Sequence, residues 1–210
     1  MEKILVTGST GFVGKALCKR MASNGWHVRG TVRSAEQAAS LTAGVEAVQI
    51  ESIGEESDWS DALAGVNTVV HLAARVHVMN DTAADPLSAF RQVNVAGTER
   101  LARMATTNGV KRFVYISSVK VSGGGALTPY AEHAAAAPQD SYGVSKWEAE
   151  HILHKIAAET GLEIVILRPP LVYGPGVKAN FLGLFKIVDR GIPLPLASIN
   201  NHRSLIYLGN

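Results

Sequence analysis

Gly8, Gly11 and Gly14 stand three residues apart in the run Gly8-Ser9-Thr10-Gly11-Phe12-Val13-Gly14, directly after the apolar segment Ile4-Leu5-Val6. Such spacing lets a chain turn tightly and lets backbone amides approach a pyrophosphate. It also lets the following helix pack on the preceding strand, with phosphate at the positive helix end. The chemistry suggested is dinucleotide binding; the alternative is a glycine turn with no ligand. Further on, Thr31-Val32-Arg33-Ser34 puts Arg33 where an acidic residue would accept bonds from a ribose 2′-hydroxyl, and no Asp or Glu precedes Glu36. A guanidinium suits a 2′-phosphate, so NADP(H) is expected over NAD(H), unless Arg33 is only a solvated strand end.

A second group has the types needed to move protons. Tyr142 and Lys146 are four apart, and in a helix beginning near Ser141 they share one face. A nearby ammonium favours the phenolate and lowers a tyrosine pKa toward working pH, which makes a proton donor and acceptor. Ser118, at a strand end, can hydrogen-bond the same substrate oxygen. The plainer alternative is an exposed Tyr and a Lys laid along an ordinary amphipathic helix.

These residues need elements to hold them. Short apolar runs alternate with segments of helical periodicity, which predicts strands over 3–7, 27–33, 45–50, 67–73, 112–118 and 163–168. Helices are predicted over 12–24, 34–43, 58–64, 86–108, 141–160 and 179–190. Asn24-Gly25 and Asn108-Gly109 read as helix ends. Runs such as Thr68-Val69-Val70-His71-Leu72 are apolar almost throughout, as strands buried on both faces are. The fold class expected is α/β, a doubly wound parallel sheet with helices on each side. Long connections at 74–85 and 119–140 both follow strands, at the edge where such sheets bind ligands. After Pro170 the rhythm breaks, and Leu205-Ile206-Tyr207-Leu208 reads as an unfinished strand with an unpaired edge.

In this order the motifs resemble those of extended short-chain dehydrogenases/reductases, the NAD(P)-dependent epimerase/dehydratase family. The glycine run, Ser118 and the Tyr142/Lys146 pair carry the likeness. So do Val70-His71-Leu72-Ala73-Ala74, Asn94-Val95-Ala96-Gly97-Thr98 and Arg168-Pro169-Pro170-Leu171-Val172-Tyr173-Gly174-Pro175-Gly176. The resemblance implies a Rossmann domain over 1–170 and the beginning of a smaller substrate region over 171–210.

It also implies roles. Ser118, Tyr142 and Lys146 would be catalytic. The cofactor would meet Gly8, Thr10, Gly11, Phe12, Val13 and Gly14, with Arg33 beside its ribose. Ser52 and Ile53 would lie by the adenine. Leu72, Ala73, Ala74, Asn94 and Ser117 would line the cofactor from the strand ends, with Tyr142, Lys146 and Pro169. Asn180 and Arg203, with Ser118, would face a nucleotide sugar of UDP-hexose type. Three departures stand out: Ser52 where an Asp is common beside the adenine, Ser122-Gly123 where Tyr-Gly is common, and the roughly one hundred further residues that members usually carry. With that substrate wall missing, the 210-residue chain is expected to bind cofactor and turn over poorly.

Composition excludes several other classes. Hydrophobic residues are 47% and charged residues 18%, enough for a core and too apolar for a disordered chain. A net charge of +2 with scattered charges disfavours nucleic acid as partner. The single Cys18 excludes an internal disulfide framework and suits a reducing cytosol. Ile4-Leu5-Val6 meets Gly8 at once, so no signal peptide is expected, and no run approaches the roughly 20 residues of a membrane span. His151 and His154 lack a third ligand of convincing spacing, so no metal is expected. The function expected is an epimerase or 4-ketoreductase, with a homodimer as its assembly. The alternative is a non-catalytic NADP-binding sensor or assembly protein of the same fold.

Overall fold

Alternation along Lys3–Thr7 (β1) decides how the layers form. Leu5 faces one apolar cluster with Val69, Phe113, Tyr115, Leu101, Leu153 and Trp59, while Ile4 and Val6 face another with Cys18, Val28 and Val70. Neighbouring residues of a strand point to opposite faces, so one strand feeds two cores and the sheet must be covered on both sides. The computed structural model describes residues 2–76, 85–125, 129–131, 133–193 and 202–210.

The first compact unit, Met1–Arg168, runs β1, α1 (Phe12–Ser23), β2 (His27–Val32), α2 (Ala35–Ala39), β3 (Val45–Gln49), α3 (Ser60–Leu63) and β4 (Thr68–His71). It continues with α4 (Pro86–Arg91), a π-helical turn at Gln92–Ala96, α5 (Gly97–Thr107), β5 (Arg112–Ile116), α6 (Ser141–Thr160) and β6 (Glu163–Leu167). All six strands are parallel, in the order β3-β2-β1-β4-β5-β6. The order reverses between β1 and β4. Ligands of open α/β sheets bind outside the carboxyl ends of the strands at that reversal. Registers Val6↔Gly30 and Thr7↔His71 align the ends of β1, β2 and β4 there.

The predicted elements of this unit are present, within one or two residues for most ends. Asn24 and Asn108 are the C-caps of α1 and α5. One expectation needs correction. Burial on both faces holds for the central strands but not for the edges, where Val165 and Leu167 of β6 are 39% and 49% exposed.

The second unit, Pro169–Asn210, holds β7 (Leu171–Tyr173), α7 (Ala179–Asp189) and β8 (Leu205–Tyr207). The last apolar run is not unpaired as expected: β8 lies parallel to β7, with Leu171↔Leu205 and Tyr173↔Tyr207 in register. Tyr173 packs against Phe181 and Tyr207, and Phe181 against Phe185, at 4.8–5.8 Å between ring centroids. Among the described residues no helix is long and apolar enough to cross a membrane.

Candidate active site

The glycine run is the turn between β1 and α1. Gly8 has φ +68°, and a Cβ there would lie 2.9 Å from the Ala73 amide nitrogen. A Cβ on Gly14 would stand 2.1 Å from the Gly8 carbonyl oxygen, so α1 can approach the turn only without a side chain. The Gly11 N–H donates to that same oxygen at 2.9 Å, and Ser9 Oγ ties the turn to β2 through Thr31 O at 2.6 Å. Gly11 caps α1 without a side-chain acceptor, and the first turn has no acidic residue. The cradle and its positive helix end therefore fit a phosphate. Thr10, Phe12 and Val13, all half-buried, complete this turn.

Around it, Arg33 is exposed just past the end of β2, its amide held by Gln37 Oε1 at 2.9 Å. Exposed Ser52 and half-buried Ile53 follow β3 in a loop closed by Ser57, whose hydroxyl donates to Ser52 O and accepts from the Gly54 amide, both at 2.8 Å. Leu72, Ala73 and Ala74 follow β4, with the Ala73 N–H donating to Thr7 Oγ1 at 3.1 Å.

His71 is the buried tie beneath these strand ends. Its Nδ1 is 2.7 Å from Thr7 Oγ1 and its Nε2 3.0 Å from Thr98 Oγ1, while Thr98 Oγ1 donates to Asn94 O at 2.7 Å. Since Thr98 already donates, Nε2 carries the proton and Nδ1 accepts from Thr7, a tautomer assigned from the network. Burial, then the nearby Lys146 charge, push the imidazole pKa down to about 3. Asn94 lies in the π-helical turn, where it brackets the Arg75 backbone (Oδ1 to N 2.8 Å, Nδ2 to O 3.0 Å) and donates to Ser145 Oγ at 3.0 Å.

At the end of β5, Ser118 caps a short 3-10 turn, Val119–Val121, accepting from the Lys120 amide at 3.2 Å. Asp140 caps α6 by accepting from the Gly143 N–H at 2.7 Å. A Cβ on Gly143 would come within 2.9 Å of Lys120 O, so the start of α6 and the 3-10 turn are in close contact. That contact brings Ser118 to Tyr142. The Phe90 ring meets Tyr142 edge-on at 6.1 Å between centroids. One turn further along α6, Lys146 is 2% exposed, with Nζ 4.0 Å from the centroid of the Tyr115 ring. Of the long connections, residues 77–84, 126–128 and 132 lie outside the described residues.

The electrostatics correct one expectation. Lys146 was expected to lower the Tyr142 pKa. Instead burial, with the Asp140 charge behind it, raises the phenol, and a hydrogen bond with Ser118 only partly offsets them. Asp140 is itself ion-paired with Lys120. Lys146 is brought down to about 7 by burial, against the favourable charge of Glu150. Desolvation wins at both groups.

The structure thus gathers Ser118, Tyr142 and Lys146 on one side of the strand ends, with Asn94 and Ser117 buried close to α6. A phenol, a hydroxyl and an ammonium arranged this way are able to relay a proton. Pro169, Asn180 and Arg203 belong to the second unit. The Asn180 side chain lies outside the described residues, and Arg203 is exposed just before β8. A cleft of about 980 Å³, lined by residues including Arg91, Glu99, Trp147 and His151, holds none of Ser118, Tyr142 and Lys146. Among the described residues no three His, Cys, Asp or Glu side chains are grouped to hold a metal ion. Residues not read as functional from the sequence are Glu150, Tyr115 and Phe90. Only Glu150 had a signal, its four-residue spacing from Lys146.

Residues 4–210 match the NAD dependent epimerase/dehydratase family. The chain is 45% identical to a UDP-glucose 4-epimerase of Vibrio cholerae, over all of this chain and 64% of that protein. It is 29% identical to an N-acetyl-alpha-D-glucosaminyl-diphospho-ditrans,octacis-undecaprenol 4-epimerase of Escherichia coli O157:H7, over 60% of that protein. It therefore spans less than two thirds of the length of these curated relatives. A solved structure of a UDP-glucuronic acid 4-epimerase from Bacillus cereus, in complex with UDP-glucuronic acid and NAD, superposes with a TM-score of 0.81 at 28% identity. That match covers 98% of this chain and 69% of the other.

Proposed function

This chain belongs to the NAD dependent epimerase/dehydratase family, and from that premise we propose that it serves as an NAD(P)-dependent 4-epimerase of a UDP-hexose. The observation that carries the reading is the meeting of Ser118, Tyr142 and Lys146 at the strand ends, in a chain 45% identical to a UDP-glucose 4-epimerase. Bound NAD(P) would supply the hydride acceptor and donor for the sugar C4. It would be held by the turn from Gly8 to Gly14, by Ile53, by Leu72 to Ala74 and by Lys146.

Tyr142 takes the proton of the C4 hydroxyl as that carbon is oxidised, and returns it when the ketone is reduced from its other face. In the cofactor-free site its raised pKa keeps the phenol protonated at neutral pH, the form used when the ketone is reduced. The oxidising half-reaction begins only once the phenol has given up that proton and can accept the one from the C4 hydroxyl. Ser118 orients the sugar oxygen. Lys146 binds the cofactor ribose, Arg203 holds the nucleotide diphosphate, and the segment at Asn180 meets the nucleotide sugar. The solved relative carries NAD, which favours NAD here too. A preference for NADP would rest on Arg33.

The test is incubation of the protein with UDP-galactose and a catalytic amount of NAD, followed by separation of the UDP-hexoses. Interconversion without net consumption of cofactor, at a low rate, is the result expected. Stoichiometric oxidation of NADPH on a 4-keto sugar would instead make it a ketoreductase. Tight cofactor binding with neither reaction would favour the non-catalytic sensor or assembly protein.

A further inference from the structure

Glu150 is 2% exposed, and none of the roles above uses it. Its Oε1 accepts from Ser117 Oγ at 2.5 Å and from Arg168 Nε at 3.0 Å, and its Oε2 from Arg168 Nη2 at 2.5 Å. Ser117 immediately precedes Ser118, and its amide also donates to Leu167 O at 2.7 Å. Arg168 directly follows β6. One carboxylate on α6 therefore fastens the carboxyl ends of two neighbouring strands to the helix that carries Tyr142 and Lys146.

The same carboxylate has a second neighbour. Lys146 lies four residues before Glu150, on the same face of α6, and is equally buried. The other groups about Lys146 are Tyr115 from β5, His71 from β4 and Tyr142 one turn earlier on α6. His71 and both phenols are neutral at neutral pH, so Glu150 is the anion of the set. The Arg168 side chain is 29% exposed and keeps part of its hydration, which Lys146 does not. An ammonium buried without an anion would be strongly penalised.

Building on the roles assigned to Ser118, Tyr142 and Lys146, we propose that Glu150 is a positioning residue of the proton-transfer site. Its carboxylate is both the counter-charge of the buried Lys146 ammonium and the clamp that sets Ser118 beside Tyr142. A clamp alone needs only hydrogen bonds. A counter-charge also needs the negative charge, and that difference is measurable.

Protein isotope-labelled at lysine Cε is titrated by NMR from mildly acidic to alkaline pH, with Lys146→Met assigning the resonance. Glu150→Gln keeps the shape and removes the charge, so the Lys146 midpoint falls by about one pH unit or more. Glu150→Asp keeps the charge and restores the midpoint toward that of the parent protein. The double variant Glu150→Leu/Arg168→Leu replaces the ion pair by apolar groups and recovers thermal stability, yet keeps the lowered midpoint. Should Glu150→Gln fail to fold, the double variant is compared with Arg168→Leu, so that the Glu150 charge is again the difference read. A Lys146 midpoint unmoved by loss of the charge would overturn the proposal and leave Glu150 a structural clamp. The titration needs neither substrate nor turnover. A moved midpoint in a protein inactive on UDP-hexoses would therefore count against the reaction, and not against the counter-charge.

Discussion

The Lys146 ammonium sits 4.0 Å from the centroid of the Tyr115 ring, and that ring stacks on the neutral His71 at 5.8 Å and 23°. A ring face attracts a cation, and Glu150 adds its charge, yet burial outweighs both and brings Lys146 to about 7. The cation is thus held in place more firmly than it is held charged.

The first prediction is a pH-dependent gain in stability for Lys146→Met. The folded pKa of about 7 lies below the unfolded value of roughly 10.4, so the unfolded chain binds more protons between them. Stability of the parent protein then rises with pH across that window, and the full penalty applies below it. Lys146→Met should be more stable than the parent below pH 7 by up to a few kcal/mol, as a shift of this size implies. The gain should fade toward the alkaline end. Denaturant melts of cofactor-free protein across the pH range check this; a gap that does not change with pH would exclude the depressed ammonium.

Tyr142→Phe separates chemistry from binding. Phe keeps the ring against Phe90 but has no proton to exchange, so kcat should fall roughly a hundred- to ten-thousandfold. Melting temperature and cofactor affinity should stay near those of the parent protein. Lys146→Met, by contrast, should lose both turnover and cofactor affinity, because the proposed mechanism uses Lys146 for both. Near-normal turnover in Tyr142→Phe would remove the phenol from the reaction.

How much of this was legible depends on what kind of information each feature needs. The six strands of the first unit were readable because Leu5, Val69 and Phe113 belong to short apolar runs between turn signals, and a parallel core demands that pattern. The pairing of β7 with β8 was not, since three residues on each side show no periodicity. The spacing of Tyr142 and Lys146 gave their shared helix face. It could not give the sign of the Tyr142 shift, which depends on how much water the fold removes. Glu150 shows the same limit: four residues past Lys146 says that they are neighbours, but its partners Ser117 and Arg168 come from two other elements.

Gly14→Ala tests the phosphate cradle. Its Cβ would stand 2.1 Å from the Gly8 carbonyl oxygen, far inside contact distance and against backbone. Either α1 moves off the turn or the turn opens, at a cost of roughly 1–3 kcal/mol typical of overpacking. In both cases the amides at the start of α1 lose their aim, and cofactor affinity should drop at least tenfold. Fluorescence titration with NADH, beside a thermal melt, measures the two effects. Unchanged affinity would mean that the phosphates bind elsewhere.

Cofactor choice should turn on Arg33, which is exposed just past β2 and whose backbone is tied down to Gln37 and Gln49. A free guanidinium at this position can meet a 2′-phosphate through charge-assisted bonds. Losing such a contact costs roughly 1.5–3 kcal/mol, or about ten- to a hundredfold in affinity. Arg33→Asp should therefore weaken NADPH by that factor and leave NADH equal or tighter, because a carboxylate accepts bonds from the two ribose hydroxyls of NADH and repels a phosphate. The relative solved with NAD makes the parent protein's own preference the first measurement. If the parent already favours NADH, Arg33→Asp should strengthen that preference. An NADPH-to-NADH ratio that Arg33→Asp leaves unchanged would place the ribose away from the end of β2.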